Sequence, residues 1–218
     1  MENFNMNFSK RVTILGGNTE WIDSPSNGVR RIPLERESAE SGHVTSLVEY
    51  LPGSRFSQHK HPLGEEILVL KGTFSDEAGN YPAGTYIRNP PGTAHAPFSE
   101  EGCVIFVKLN QFHESDLERV VINTLESNWR AGHGNLEVLP LHSFGTESCA
   151  LVKWPEGEEF LSHTHMGGEE ILVISGEFKD EFGSYPQLAW LRSPHGSIHK
   201  PYVDKETLIY VKTGHLPA

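Results

Sequence analysis

Cysteine is almost missing from this 218-residue chain, with Cys103 and Cys149 as the only two. So low a count excludes a disulfide framework and a four-cysteine zinc site, and both thiols are expected to be small buried side chains. No run approaches the eighteen or so apolar residues of a membrane-spanning helix. The opening MENFNMNFSK lacks the apolar core of a secretion signal, so the expected location is cytoplasmic. Positive charge is scarce as well. Lys plus Arg number 18 against 29 Asp plus Glu, a formal net charge of -11, so nucleic acid and membrane surfaces should be repelled rather than bound. Helical periodicity is nearly absent. Glu114–Thr124 is the one fair candidate, and its Val120-Val121-Ile122 run favours a strand.

Histidine is abundant by contrast, with twelve in an acidic chain. Its distribution follows an internal duplication. The segment beginning at Gly53, with HKHPLGEEILVLKGTF, is answered from Gly157 by HTHMGGEEILVISGEF. About 25 positions are identical between Gly53/Gly157 and Lys108/Lys212, and no gap interrupts the register. Upstream, Arg11-Val-Thr-Ile matches Arg119-Val-Val-Ile, and Trp21 matches Trp129. The chain is therefore expected to be two repeats, 1–112 and 113–218, joined in the polar stretch Gln111–Asp116.

Each repeat reads as short β-strands such as Ile67–Leu70, Tyr86–Arg88 and Val104–Lys108, separated by Gly, Pro, Asn and Asp clusters. An all-β fold follows. The strand after Glu65 is apolar on both faces, which predicts one face filling a barrel and the other covered by the second half-chain or by another subunit, as in a homodimer. The leading strands Arg11–Leu15 and Arg119–Thr124 are expected to pair across the barrels, since each stands apart from its own motif segment and needs a sheet edge. Leu188 stands where the first repeat has Gly84, marking an altered corner or interface contact.

The candidate chemistry lies in a repeated set: His59, His61, Glu65 and His95, answered by His163, His165, Glu169 and His199. Residues i and i+2 of a strand share a face, so His-x-His sends two imidazoles into one space, and the turn at Pro62–Gly64 returns a carboxylate beside them. Three imidazoles and a carboxylate suit one divalent ion per repeat. Of the neighbouring carboxylates, Glu66 and Glu170 should point outward, because adjacent strand residues face opposite ways. Six histidines have no counterpart in the other repeat and are read as surface or core residues, although His195 is near enough to His199 to reach the same pocket. Arg88/Arg192 and Lys108/Lys212 repeat too, either as solvent-facing ion pairs or as an anion-tolerant pocket wall.

These motifs resemble the cupin superfamily, whose first motif reads G-x5-H-x-H-x3or4-E-x6-G and whose second reads G-x5-P-x-G-x2-H. Gly53, His59, His61, Glu65 and Gly72 match the first, as do Gly157, His163, His165, Glu169 and Gly176. Gly84, Pro90, Gly92 and His95 match the second; Pro194, Gly196 and His199 match it with Leu188 in place of the leading glycine. The surrounding GEEILVLKGTF and DEAGNYPAGTYIRNPPGTAH more narrowly resemble the cupin domain of ChrR-type anti-sigma factors. The resemblance implies a duplicated cupin, a double-stranded β-helix or jelly-roll barrel in each repeat, binding zinc through this ligand set, with iron, manganese or nickel as alternatives. A sigma factor is not an expected partner, since the helical domain that holds one has no counterpart here. A small-molecule ligand is. The expected role is a metal-dependent sensory or ligand-binding regulatory module. The rival is a metal-dependent cupin dioxygenase acting on a small diketone-like or phenolic substrate.

Overall fold

A computed structural model of the chain describes residues 3–38 and 41–218. It contains β-strands and one short 3-10 turn at Gly16–Asn18, with no α-helix among the described residues. The β-branched Val120-Val121-Ile122 run forms the strand Val120–Asn123, as its propensity requires.

Two compact units are present: residues 1–6 with 20–126, and residues 7–19 with 127–218. In the first, the main sheet runs Val120–Asn123, Thr85–Asn89, Glu65–Asp76, Cys103–Leu109, Val44–Tyr50, Val29–Arg36 and Ile22–Asp23. In the second, it runs Val12–Leu15, Ala189–Ser193, Glu169–Ser175, Thr207–Thr213, Glu147–Trp154, Glu137–Phe144 and Arg130–Ala131. In each unit the outermost strand of the sheet is the leading strand of the other repeat. Val12–Leu15 lies antiparallel to Ala189–Ser193 with Ile14 opposite Trp190, while Val120–Asn123 lies against Thr85–Asn89 with Ile122 opposite Tyr86. The two pairings have the same register, so each strand fills the same sheet edge in the other repeat's barrel.

The barrel interiors are packed by matching side chains. Tyr50, Ile67, Val69, Phe74 and Ile105 in the first unit correspond to Trp154, Ile171, Val173, Phe178 and Ile209 in the second. Full burial of each such side chain contributes about 1.5–3 kcal/mol, which makes these inward faces the main support of each barrel. Cys103 and Cys149 are buried and unbridged, and burial pushes the Cys103 thiol up to about 11.

Two glycines of the repeated motif are dictated by space. Gly72 has φ 69°, and a Cβ there would stand 2.0 Å from the Gly102 carbonyl oxygen; at Gly176, φ 82°, it would stand 2.4 Å from that of Glu206. Only glycine fits where these chain segments touch. Leu188, by contrast, holds the left-handed conformation of its counterpart Gly84 with φ 65°, so the corner survives the loss of glycine.

Candidate metal centre

In the first unit the short strand His59–His61 pairs antiparallel with Thr93–His95, setting His95 opposite His59 and Thr93 opposite His61. The chain then turns through Gly64, φ 77°, where a Cβ would strike the Phe112 ring at 2.2 Å, and Glu65 opens the long strand Glu65–Asp76. The second unit repeats the device with His163–His165 against Ser197–His199 and Glu169 opening the next strand.

All eight predicted residues assemble as two groups of four, each with its donor atoms within 4.8 Å of one another. In the first, Glu65 Oε2 lies 3.6 Å from His61 Nε2 and 3.4 Å from His95 Nε2; in the second, Glu169 Oε2 lies 3.6 Å from His165 Nε2 and 3.4 Å from His199 Nε2. The Nε2 atoms of His61, His95, His165 and His199 are buried, and none makes a hydrogen bond of acceptable direction. Donors bound to one ion at roughly 2.0–2.2 Å stand about 3.0–3.5 Å apart when adjacent, so the spacing fits a single ion in each group. Without one, four ring nitrogens would be buried at a cost of about 1–3 kcal/mol apiece.

The opposite ring nitrogens are anchored by the protein. His59 Nδ1 lies 3.0 Å from the Ser57 carbonyl, His61 Nδ1 3.2 Å from Thr93 Oγ1, and His95 Nδ1 3.2 Å from Asp76 Oδ2. His163 Nδ1 lies 2.9 Å from the Leu161 carbonyl and His199 Nδ1 3.3 Å from Asp180 Oδ2. Such bonds fix the ring orientation and leave each Nε2 aimed at the shared point. Asp180 also accepts from Arg11, from the Tyr185 hydroxyl at 2.7 Å and from the Phe182 amide at 2.9 Å. Arg11 lies just before the exchanged strand and acts on the second barrel, so the exchange delivers a residue of the first repeat to the carboxylate behind His199.

The two groups differ electrostatically. Burial alone would raise Glu65, but His95, His61 and the Asn89 amide, which donates to Oε2 at 3.0 Å, hold it below its ordinary value. Position 193 carries Ser in place of that amide, and burial pushes Glu169 up to about 7. Burial brings His61 down to about 4 and His165 to about 3, which keeps both rings neutral and able to ligate at neutral pH. For His95, Asp76 and Glu65 outweigh burial and raise it to about 9.

Other sequence expectations are corrected. Arg88, Arg192, Lys108 and Lys212 are fully buried, neither solvent-facing nor in the walls of the barrel cavities. Arg88 pairs with Glu66 and Asp116, and Lys212 with Glu147 at 2.8 Å. Glu66 and Glu170 do turn away from the histidines, yet both are buried, accepting from the Tyr86 hydroxyl at 3.0 Å and the Trp190 indole at 2.7 Å. His195 stays outside the second group and accepts a hydrogen bond from the Gly167 amide. Sequence reasoning missed Asp76 and Asp180, although both repeat in DEAGNY and DEFGSY. It also set aside His133, which lines the second cavity and packs edge-on against Phe160. Having no counterpart in the first repeat removed it from consideration.

The profile of the ChrR cupin-like domain matches residues 9–113 and again 117–217. Among solved structures, the chain is similar to a Nostoc punctiforme protein provisionally described as a dioxygenase, with a TM-score of 0.78 and 14% identity over 93% of this chain and 82% of that one. It is also similar to protein YlbA from E. coli, with a TM-score of 0.74 and 14% identity over 97% and 94%. A third similar structure is a Bacillus subtilis oxalate decarboxylase variant, with a TM-score of 0.65 and 14% identity over 98% and 78%. At these identities the likeness speaks for the fold. No relative is detected among curated sequences.

Proposed function

The chain belongs to the ChrR cupin-like domain family, and from that premise we propose that it is a metal-dependent ligand-binding module with a sensory role. Each barrel holds one divalent ion, zinc in the resting protein, through His59, His61, Glu65 and His95 or His163, His165, Glu169 and His199. The observation that carries the reading is the convergence of buried, unbonded Nε2 atoms on one carboxylate in each barrel. A bound ion would supply a Lewis-acid centre for a small molecule entering the barrel. The protein's part is to orient the imidazoles through Asp76 and Asp180 and to line most of each cavity with apolar side chains. Metal analysis of protein purified without chelator tests this directly: two equivalents per chain are expected, and none would overturn it.

A second reading, a metal-dependent dioxygenase, is favoured by the cavity beside each donor group and by the similarity to the Nostoc protein. The repeated carboxylates behind the ligands, Asp76 and Asp180, are engaged with His95 and His199, which argues against it only weakly, because metal and substrate can do such chemistry with little other help. Oxygen uptake by the iron-loaded protein, over a panel of diketones and phenolics, separates the two. Substrate-dependent consumption lost in His95→Ala or His199→Ala would make the protein an enzyme. Tight zinc binding without turnover supports the sensory role.

A further inference from the structure

Each barrel encloses a cavity against its donor group, about 90 Å³ in the first and about 200 Å³ in the second. Most of the wall is repeated, with Val48, Phe56 and Phe74 of the first answered by Val152, Phe160 and Phe178 of the second. The donor sets are identical in type. The difference is charge.

Arg31 and Arg36 line the first cavity. Arg31 pairs with Val48 and corresponds to Val138, which pairs with Val152; Arg36 pairs with Val44 and corresponds to Ser143, which pairs with Ser148. Arg36 reaches the interior because a bulge between Pro33 and Glu35 shifts the alternation by one residue. Glu35 turns the other way, to His43 at 2.7 Å and Thr45 at 2.7 Å. Tyr50 adds a phenol where the second barrel has Trp154. The second wall contains no Lys or Arg, and the Trp154 Nε1 donor there finds no acceptor.

We propose that the two barrels have diverged in ligand class, and that the first binds a small carboxylate anion against its metal, gripped by Arg31 and Arg36. The inference rests on the metal-centre reading and names the ligand of one of the two sites. A guanidinium presents paired N–H donors in the geometry of a carboxylate, and the interaction strengthens in a barrel interior away from water. Taking about 15 Å³ of such space per water-sized group, the first cavity holds on the order of six non-hydrogen atoms. That is the size of acetate, oxalate or malonate. The second barrel, with the same ligands and no Lys or Arg in its wall, takes a neutral ligand and serves as an internal control.

The test begins by loading the protein with cobalt and counting metal. Fewer than two equivalents defeats the metal-centre reading and this proposal with it, whereas two equivalents without anion binding defeats this proposal alone. Loaded protein is then titrated with acetate, oxalate and malonate, following heat and the cobalt visible bands. One anion per chain is expected. Arg31→Val, which copies the second barrel, should weaken it at least tenfold with both metals retained. Arg36→Ser is a second variant should Arg31→Val fail to fold. Two anions per chain, no anion at millimolar concentration, equal binding of chloride, or binding unchanged in both variants would each overturn the proposal.

Discussion

Replacing Asp180 by Asn keeps the side chain's shape and removes the charge behind His199. In the native protein this carboxylate has a fully buried side chain and accepts from His199 Nδ1, Arg11, the Tyr185 hydroxyl and the Phe182 amide. Burial opposes its ionisation, yet these donors hold it well below the ordinary carboxylate range. Loss of an outer partner to a metal-ligating imidazole costs about 10–100-fold in metal affinity, or roughly 1.4–2.7 kcal/mol. The Arg11 guanidinium, 23% exposed, also loses its anion, which costs the fold about 1.5–3 kcal/mol more. Asp76 serves His95 independently, so the first site should be untouched. A zinc titration against a competing chromogenic chelator should therefore show one unchanged site and one weakened 10–100-fold. Equal weakening of both sites, or of neither, would refute the role given to Asp180.

Four further outcomes follow from the same geometry. His61→Ala and His165→Ala should each lower bound metal by one equivalent, since no nearby side chain replaces the missing imidazole; unchanged metal content in both would make these histidines structural. Gly72→Ala should cost about 3 kcal/mol or more by denaturant unfolding, because its Cβ would stand 2.0 Å from a carbonyl oxygen in a left-handed conformation. Gly92→Ala, where φ is 86° with nothing within 4 Å, should cost only about 1–2 kcal/mol, and equal losses would refute the steric account. Cys103, raised from 9.0 to about 11, favours the protonated fold, so stability should fall as pH rises from about 9 through 11. At ~1.4 kcal/mol per pH unit the loss approaches 3 kcal/mol, and Cys103→Ala should flatten that part of the profile.

The repeat made both donor groups legible, because four residue types at fixed spacing occur twice and a strand's two-residue period places His59 beside His61. The exchanged strands were legible for a related reason: each β-branched run stood apart from its own barrel. What escaped the sequence has physical causes. Arg36 enters the first cavity only because a bulge shifts the strand's alternation, which the residues Pro33 to Glu35 do not announce. Arg88 and Lys108 looked like surface cations, since buried charge is uncommon; Arg88 is held instead by Glu66 and Asp116, and Lys108 lies 3.0 Å from Thr45 Oγ1. His133 and Arg31 belong to one repeat alone, and comparing the halves selects what they share.

The exchanged strands also impose an order on synthesis. The first barrel can complete its sheet once Val120–Asn123 has left the ribosome, little beyond its own last strand. The second must wait for Ala189–Ser193 before Val12–Leu15, made some 180 residues earlier, finds its place at the register Val12 to Arg192. Throughout that interval the early strand has an unsatisfied edge. A single repeat made alone would lack the strand at that edge. Two copies of such a repeat could complete each other by trading their leading segments.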